Sequence, residues 1–422
     1  MKTADPELMR AINRFHVLDT IRRHGPIARV EISERTELSA TTVSQITGLL
    51  IEEGLIAPRQ VGDIRSTARG RPRVMLELNP DAARVVGVKI GAHRIVAVVT
   101  NFLGDVLASL TLPVRVERQP PGVVADLVED AIRRCVADAR LSLKEINSVC
   151  VSLPGVVEHG SGLIRYSPVL RKSPTGLRDA LLARLDLPVL IESDANAVTV
   201  AEHWFRLCRD LDNFLVVTLE QSIGLGVMHE GQIYRGARGI SFNLGDLVTS
   251  SPGSAAISRL ADFAAEPAIL ASCGEDPQLI DAARLGRGLA HLMGKGGVLE
   301  AERPSYRQAA ATAGRAIGLA VANLVTLFAP PRVVLVGSSL ALGEDLVGSL
   351  RQALARAVPP YLSDVTELVT DDMDDSAWAR GAAATALREL YGAPWGTTGP
   401  ARGPAPINHQ EETAPWTGSR LE

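Results

Sequence analysis

Between Val86 and Thr100 the chain reads VGVKIGAHRIVAVVT. A β-branched run stops at a glycine, turns, and resumes as a second β-branched run. Such residues pack best on a pleated, buried surface, so the segment predicts a hairpin of two buried strands, over 85–90 and 95–100. A third strand is expected over 106–112. From there strands alternate with helices. Further strands are expected over 146–152, 189–192, 214–219, 224–229 and 333–336. Helices are expected over 121–140, 176–185, 195–204, 253–273, 277–285, 306–328, 346–358 and 376–391. A similar strand set returns after residue 213. The expected fold class is therefore α/β, a duplicated unit with a cleft between the copies. A length of 422 residues leaves room for two or three domains.

The first 80 residues follow a different pattern, α+β in class. Leu8, Ile12, Phe15, Val17, Leu18 and Ile21 keep near-helical spacing, which predicts a helix over 7–23, ended by Gly25-Pro26. A short helix over 29–36 follows. Ser39 then stands as N-cap of a longer helix striped by Val43, Ile46, Leu49 and Leu50 and stopped at Gly54. Strands over 55–60 and 74–78 flank an arginine-rich tip. Three helices and a basic hairpin describe a winged helix-turn-helix. The start of its third helix offers Ser39, Thr41, Thr42, Ser44, Gln45 and Thr47, small hydrogen-bonding residues suited to base edges in the major groove.

Charge supports that reading. The whole chain carries −4, but residues 1–80 hold 12 Lys+Arg against 10 Asp+Glu, or +2. Five arginines (Arg59, Arg65, Arg69, Arg71 and Arg73) and one acid, Asp63, fall within 58–76. Arg69-Gly70-Arg71-Pro72-Arg73 is thin and extended, so it suits the narrow minor groove, whose negative potential attracts arginine. The expected partner is double-stranded DNA. One short recognition helix reads few base pairs, so a homodimer or homotetramer on an inverted repeat is expected.

The rest of the composition is bland. The chain is 46% hydrophobic and 22% charged, ordinary for a soluble globular protein. No run of transmembrane length and no signal-peptide core are read, so a cytoplasmic protein without a membrane partner is expected. Cys135, Cys150, Cys208 and Cys273 are scattered, with neither metal-ligand nor redox spacing. The tail from Ala393, rich in Pro, Gly and Thr, reads as disordered.

Several motifs in order resemble one family. After GRPRVMLELNP come VGVKIGAHRIVAVVTNFLGDVL, VSLPGVVEHGSGLIRYSPVL, IESDANAVTVAEHWF, LEQSIGLGVMHEGQIYRGARG and RVVLVGSSLA. The set resembles the ROK family (repressors, open reading frames, kinases) in its transcription-factor branch, over residues 8–391. The resemblance implies a two-lobed actin-like, ribonuclease H-like duplicated ATPase-type domain behind the winged helix. It divides the chain into residues 1–80, residues 81–392 and a tail, 393–422. The lobes would be 81–195 plus 376–392, and 196–375.

The departures from the family pattern bear on function. Lys89 stands where a kinase's metal-holding acid belongs, and the loop continues Gly91-Ala92-His93-Arg94. An ammonium cannot ligate Mg²⁺. The second phosphate loop is EQSIGLG, with Ser222 in the threonine place and Glu220 adding negative charge. The late glycine run is reduced to Gly337-Ser338-Ser339. No nucleotide cofactor is expected. The usual Asn-Asp sugar pair is Ser193-Asp194, and Asp194 matches the catalytic base. Asp194 either accepts a ligand hydrogen bond or simply caps the next helix. Glu-x-Gly-His becomes Asn243-Leu244-Gly245-Asp246, and the stretch that follows, VTSSPGSAAISRLAD, has no cysteine or histidine for the family's zinc.

The resemblance thus implies a DNA-binding regulator, a repressor of carbohydrate genes. Its dead kinase-like module would bind a carbohydrate effector at Ser193, Asp194, Asn243 and Asp246. A regulator driven by a protein partner, or by no ligand, is the alternative; a sugar kinase is the third reading.

Overall fold

The computed structural model describes residues 6–59, 74–170, 176–249, 256–284, 288–293 and 303–391. Arg69, Arg71, Arg73 and the expected tail lie outside the described residues. The N-terminal module holds α1 (Pro6–His24), β1 (Ile27–Ala28), α2 (Arg29–Thr36), α3 (Ala40–Glu52), β2 (Ile56–Arg59) and β3 (Met75–Leu78). Its helices begin and end where local chemistry requires. The Ser39 hydroxyl accepts the Thr42 N–H at 3.1 Å, and Gly54 takes the left-handed conformation at φ 74°. The strands pair β1–β3–β2, so the expected hairpin gains a third, two-residue strand.

The first lobe's strands are β4 (Val85–Ile90), β5 (Arg94–Thr100), β6 (Val106–Pro113), β7 (Ser148–Leu153) and β10 (Val189–Ser193). Between β7 and β10 sits a small separate hairpin, β8 (Val156–Glu158) and β9 (Leu163–Tyr166). Helices α4 (Pro121–Asp138) and α5 (Leu177–Leu185) cover the outer face, and α6 (Asp194–Phe205) leaves β10. The second lobe's strands are β11 (Phe214–Leu219), β12 (Ile223–His229), β13 (Gln232–Ile233), β14 (Phe242–Asn243), β15 (Arg332–Val336) and β16 (Glu367–Asp371). Its helices are α7 (Ala261–Ala264), α8 (Glu266–Ser272), α9 (Pro277–Arg284), α10 (Leu289–Met293), α11 (Pro304–Phe328), α12 (Glu344–Ala357) and finally α13 (Asp375–Leu390).

The two sheets repeat one plan. In order β6-β5-β4-β7-β10, the first two pairings are antiparallel and the last two parallel. In order β13-β12-β11-β15-β16 the same sequence of pairings recurs. The duplication read from the sequence is thus present in the hydrogen bonding itself. Helices α6 and α13 lie between the sheets and against each other, and their buried faces share one core with Phe15, Leu18 and Ile21 of α1. Close approach needs glycine here. A Cβ on Gly87 would come 2.1 Å from the Ala379 carbonyl oxygen, and one on Gly381 2.4 Å from that of Ala197.

Two expectations fail. The helix expected over 253–273 is two short helices, α7 and α8, broken at extended Ala265 (φ −73°, ψ 147°). Pro267 explains the break: inside one helix it would remove an N–H and clash with the preceding turn, whereas in the first turn of α8 neither cost arises. Helix α11, moreover, is long and apolar enough by composition to cross a membrane, although no such run was expected. Its Ala- and Gly-rich face is buried against the second lobe's core, with Tyr306, Ile317 and Val321 fully enclosed, so it is a core helix.

Candidate functional site

The start of α3 forms an open polar face. Ser39, Thr41, Ser44 and Gln45 are exposed and Thr42 is half-buried. Thr47 does not belong with them. It is fully buried, its hydroxyl donates to the Val43 carbonyl at 2.8 Å and accepts from Arg29 Nε at 2.9 Å. Its role is to hold α3 to α2. Val43 and Leu50 anchor the opposite side of α3, so the polar face is presented by a fixed helix.

In the cleft the kinase-type metal position is occupied by the chain's own cation. Lys89, near the end of β4, is buried, with Nζ 2.7 Å from Asp375 Oδ1 and 3.8 Å from the centre of the Trp378 ring. Burial works against the ammonium, but the Glu220 and Asp375 carboxylates outweigh it and hold its pKa above the usual value. Arg94 bonds the second oxygen of Asp375. Cavities of about 440 and 780 Å³ remain beside this cluster, and Glu220 lines both. Ser338 and Ser339, where glycines would admit a nucleotide, both donate to Glu266. Burial and the Glu220 charge push Glu266 up to about 7. Its part here has no motif to announce it. A divalent cation does not fit a position already filled by an ammonium.

The remaining predicted residues come together as two pairs. Ser193, not Asp194, caps α6, its hydroxyl accepting the Asn196 N–H at 3.3 Å. Asp194 is the first helical residue, and burial together with Glu220 pushes it up to about 7. Asn243 Nδ2 donates to Asp246 Oδ2 at 2.7 Å, and Arg259 Nη1 donates to the Asp246 carbonyl at 2.9 Å. The pairs are neighbours at one remove. Asn243 is paired across the sheet with Gly224, and a Cβ on Gly224 would lie 2.9 Å from that of Ala195. None of Asp194, Asn243 and Asp246 lines either of these two cavities.

The zinc implied by the family does not fit. Residues 243–262 contain neither cysteine nor histidine, and Asp246, in the histidine's place, is engaged by Asn243 and Arg259. Among the described residues no group of three or more His, Cys, Asp or Glu is placed to hold a metal ion.

Sequence reasoning missed the cluster that ties the cleft together. Glu192, fully buried at the end of β10, accepts from Arg235 at 2.9 and 2.6 Å, from Asn196 Nδ2 at 2.9 Å and from the Ser193 N–H at 2.9 Å. His159 Nδ1 lies 3.2 Å from it, and His159 Nε2 lies 3.5 Å from Glu389. The cluster joins the first sheet, the hairpin that follows β7, the second lobe and α13.

Comparison with known proteins agrees with this geometry. Residues 85–389 match the model of the ROK family, and residues 10–57 match a winged helix-turn-helix DNA-binding model. The chain belongs to the ROK family. It is 26% identical over 405 residues to a putative xylose repressor of Caldicellulosiruptor sp. (92% of this chain, 98% of that protein). It is 25% identical to the xylose repressor of Bacillus subtilis (90% and 96%). It is also 25% identical to the DNA-binding transcriptional dual regulator NagC of Escherichia coli (82% and 86%). Among solved structures, a ROK family transcriptional regulator, a homologue of the E. coli MLC protein, superposes with TM-score 0.72 at 22% identity, covering 92% of this chain and 98% of its own. A ROK hexokinase from Thermus thermophilus reaches 0.58 at 27%, covering 73% and 99%. Within the ROK family the chain is a DNA-binding transcriptional regulator and not an enzyme. Lys89 gives the physical reason on the enzymatic side, and the exposed face of α3 on the DNA side.

Proposed function

We propose that this regulator represses genes for carbohydrate uptake or catabolism and leaves its operator when a sugar or sugar derivative binds between the lobes. One observation carries the reading. A single chain joins an open recognition helix to a kinase-type cleft whose metal position is filled by Lys89, so the cleft can sense but not phosphorylate. The assigned division is a DNA-binding module over 1–80 and a cleft domain over 81–392, with lobes 81–195 plus 376–392, and 196–375. Ser39, Thr41, Thr42, Ser44, Gln45, Arg69, Arg71 and Arg73 are assigned to DNA. Ser193, Asp194, Asn243 and Asp246 are assigned to the effector. The protein acts in the cytoplasm as a homodimer or homotetramer on an inverted repeat.

With Lys89 bonded to Asp375, a coupled assay with ATP, Mg²⁺ and hexoses is expected to show no turnover. Turnover that disappears in Asp194→Ala would overturn the reading.

The effector assignment has its own test. Asp194 is pushed up to about 7 by burial and Glu220, and its Oδ1 accepts the Ala195 N–H at 2.8 Å. Its loss would leave a bound hydroxyl unpaired, at about 1–3 kcal/mol. Asp194→Ala is therefore expected to raise the sugar concentration for half-release of DNA roughly tenfold or more, with DNA affinity unchanged. Fluorescence anisotropy on labelled operator DNA measures both. A partner-driven regulator is the second reading, favoured by the Asn243–Asp246 hydrogen bond, which leaves that pair satisfied without a ligand. Unchanged release in both Asp194→Ala and Asn243→Ala would select it.

A further inference from the structure

We propose that Arg23 is the positioning residue that ties the orientation of the winged helix to the state of the cleft, by way of α6. The proposal rests on the sugar-release reading above and names how that site would be heard at the DNA.

Helix α6 has one end in each place. Asp194 opens it beside Glu220 and Lys89, which line the cleft; Trp204 lies ten residues on, roughly 15 Å along the axis, against α1. Every residue from Asp194 to Trp204 is buried. The helix lies against α13 on one side and the second sheet on the other, with Gly381 and Gly226 admitting its backbone. A helix so enclosed moves as a rod, so a shift imposed at Asp194 reaches His203 and Trp204.

At the far end, α1 is held by a dense set of contacts. Arg23 Nη2 bonds Asp212 Oδ1 at 2.5 Å and His203 Nε2 at 2.9 Å. Burial pushes His203 down to about 4, so the ring is neutral at neutral pH, and its Nε2, facing a guanidinium that can only donate, is the acceptor. Arg23 Nε is also bonded to Asp19 Oδ2 at 2.7 Å, which fixes the guanidinium from its own helix. The Arg22 guanidinium stands 4.8 Å from the centre of the Trp204 ring. Arg209, just beyond α6, donates to the carbonyls of Arg22 and Arg23 at 3.1 and 3.0 Å, and so occupies acceptors that the end of α1 cannot satisfy itself. Arg23 is the member of this set that bonds at once to α1, to α6 and to the loop after α6. Its planar fork suits three fixed acceptors in a way that a flexible ammonium only partly copies.

The test needs a readout that a merely structural residue would not move. Spin labels at Glu34→Cys on α2 and Ala355→Cys on α12 report the distance between winged helix and second lobe in the full-length protein. The ligand-free wild-type background is expected to give one narrow distribution, Arg23→Ala a distribution at least twice as broad, and Arg23→Lys an intermediate one. Asp212→Asn removes the acceptor charge from a half-exposed loop residue and should broaden it as well, which covers the case of Arg23→Ala folding poorly. A second arm titrates operator-bound protein with D-xylose, D-glucose, N-acetylglucosamine and their phosphates. The sugar that releases wild-type protein is expected to lose at least tenfold of its effect in Arg23→Ala. Unchanged distance distributions in both variants would overturn the proposal, and so would broadened distributions with a wild-type release ratio. If no sugar releases wild-type protein, the sugar reading falls, while the distance arm still decides the positioning role of Arg23.

Discussion

Glu192→Ala is expected to lower the melting temperature by roughly 5–15 °C, the largest stability loss expected from any single site described above. Glu192 is fully buried and receives five close polar contacts, two of them from Arg235. Removing it strands the Arg235 guanidinium and leaves the buried His159 with Glu389 as its remaining carboxylate. Breaking a buried pair on one side costs about 3–5 kcal/mol, a large share of the roughly 5–15 kcal/mol that keeps a domain folded. Glu192→Gln keeps the size of the side chain and part of its hydrogen bonding, so its loss should be smaller. The pH dependence has a definite sign. Burial alone would raise the carboxyl, but Arg235 and His159 outweigh it and hold it far below the ordinary carboxylate range. A depressed carboxylate stabilises the fold above its unfolded pKa, about 4.3, and this contribution fades as pH falls toward the folded value. The gap between wild type and Glu192→Gln is therefore expected to be full at pH 7 and to narrow below about pH 4.3. Melting by tryptophan fluorescence across pH 3–8 would show it, since Trp204 and Trp378 are buried beside the affected helices. A gap that is constant, or that widens in acid, would contradict the ion-pair account.

That cluster also marks the limit of what could be read from the chain alone. The winged helix was legible because its signals are local. Ser39 caps, Gly54 stops, and the spacing of Val43 and Leu50 gives the face. The duplicated sheet was legible through its β-branched runs. Strand β16 was not, because its sequence, ELVTD, puts acids at both ends of a short edge strand and reads as a loop. The β8–β9 hairpin hid for a similar reason, its turn being EHGSG. The break at Ala265 has a local signal in Pro267, which suits the first turn of a helix and not its interior. In the cleft, Lys89 declared itself by standing where an acid belongs, but its partner Asp375 lies 286 residues away. Arg235 and His159 meet Glu192, and Glu389 meets His159, only through the packing of both lobes, and no spacing in the sequence encodes such a meeting. Motif adjacency therefore located Asp194, while the groups that set its charge, Glu220 and Lys89, needed the fold.

The largest expected effect on DNA binding comes from the basic connection of the wing. Arg59 pairs with Met75 across β2 and β3, so residues 60–74 join two strands that end side by side. That connection carries four arginines and one aspartate, 4 − 1 = +3, in a chain of net −4. Each arginine that neutralises a phosphate releases counterions, so log K falls against log salt by about 0.9 per contact on duplex DNA. The double variant Arg69→Ala, Arg71→Ala is expected to reduce the salt slope by about 2 and to weaken operator binding roughly ten- to a hundredfold at physiological salt. Non-operator DNA should weaken nearly as much, because phosphates carry no sequence. Gln45→Ala is the contrast. Its side chain is exposed on α3; on the proposed assignment to a base edge, the variant should change preference at one position per half-site, at about 1–3 kcal/mol, and leave the salt slope alone. Anisotropy titrations on operator and scrambled duplexes at four salt concentrations separate the two behaviours. A double arginine variant with wild-type affinity and slope would reduce the RGRPR segment to a linker, and specificity would then rest on the α3 face alone.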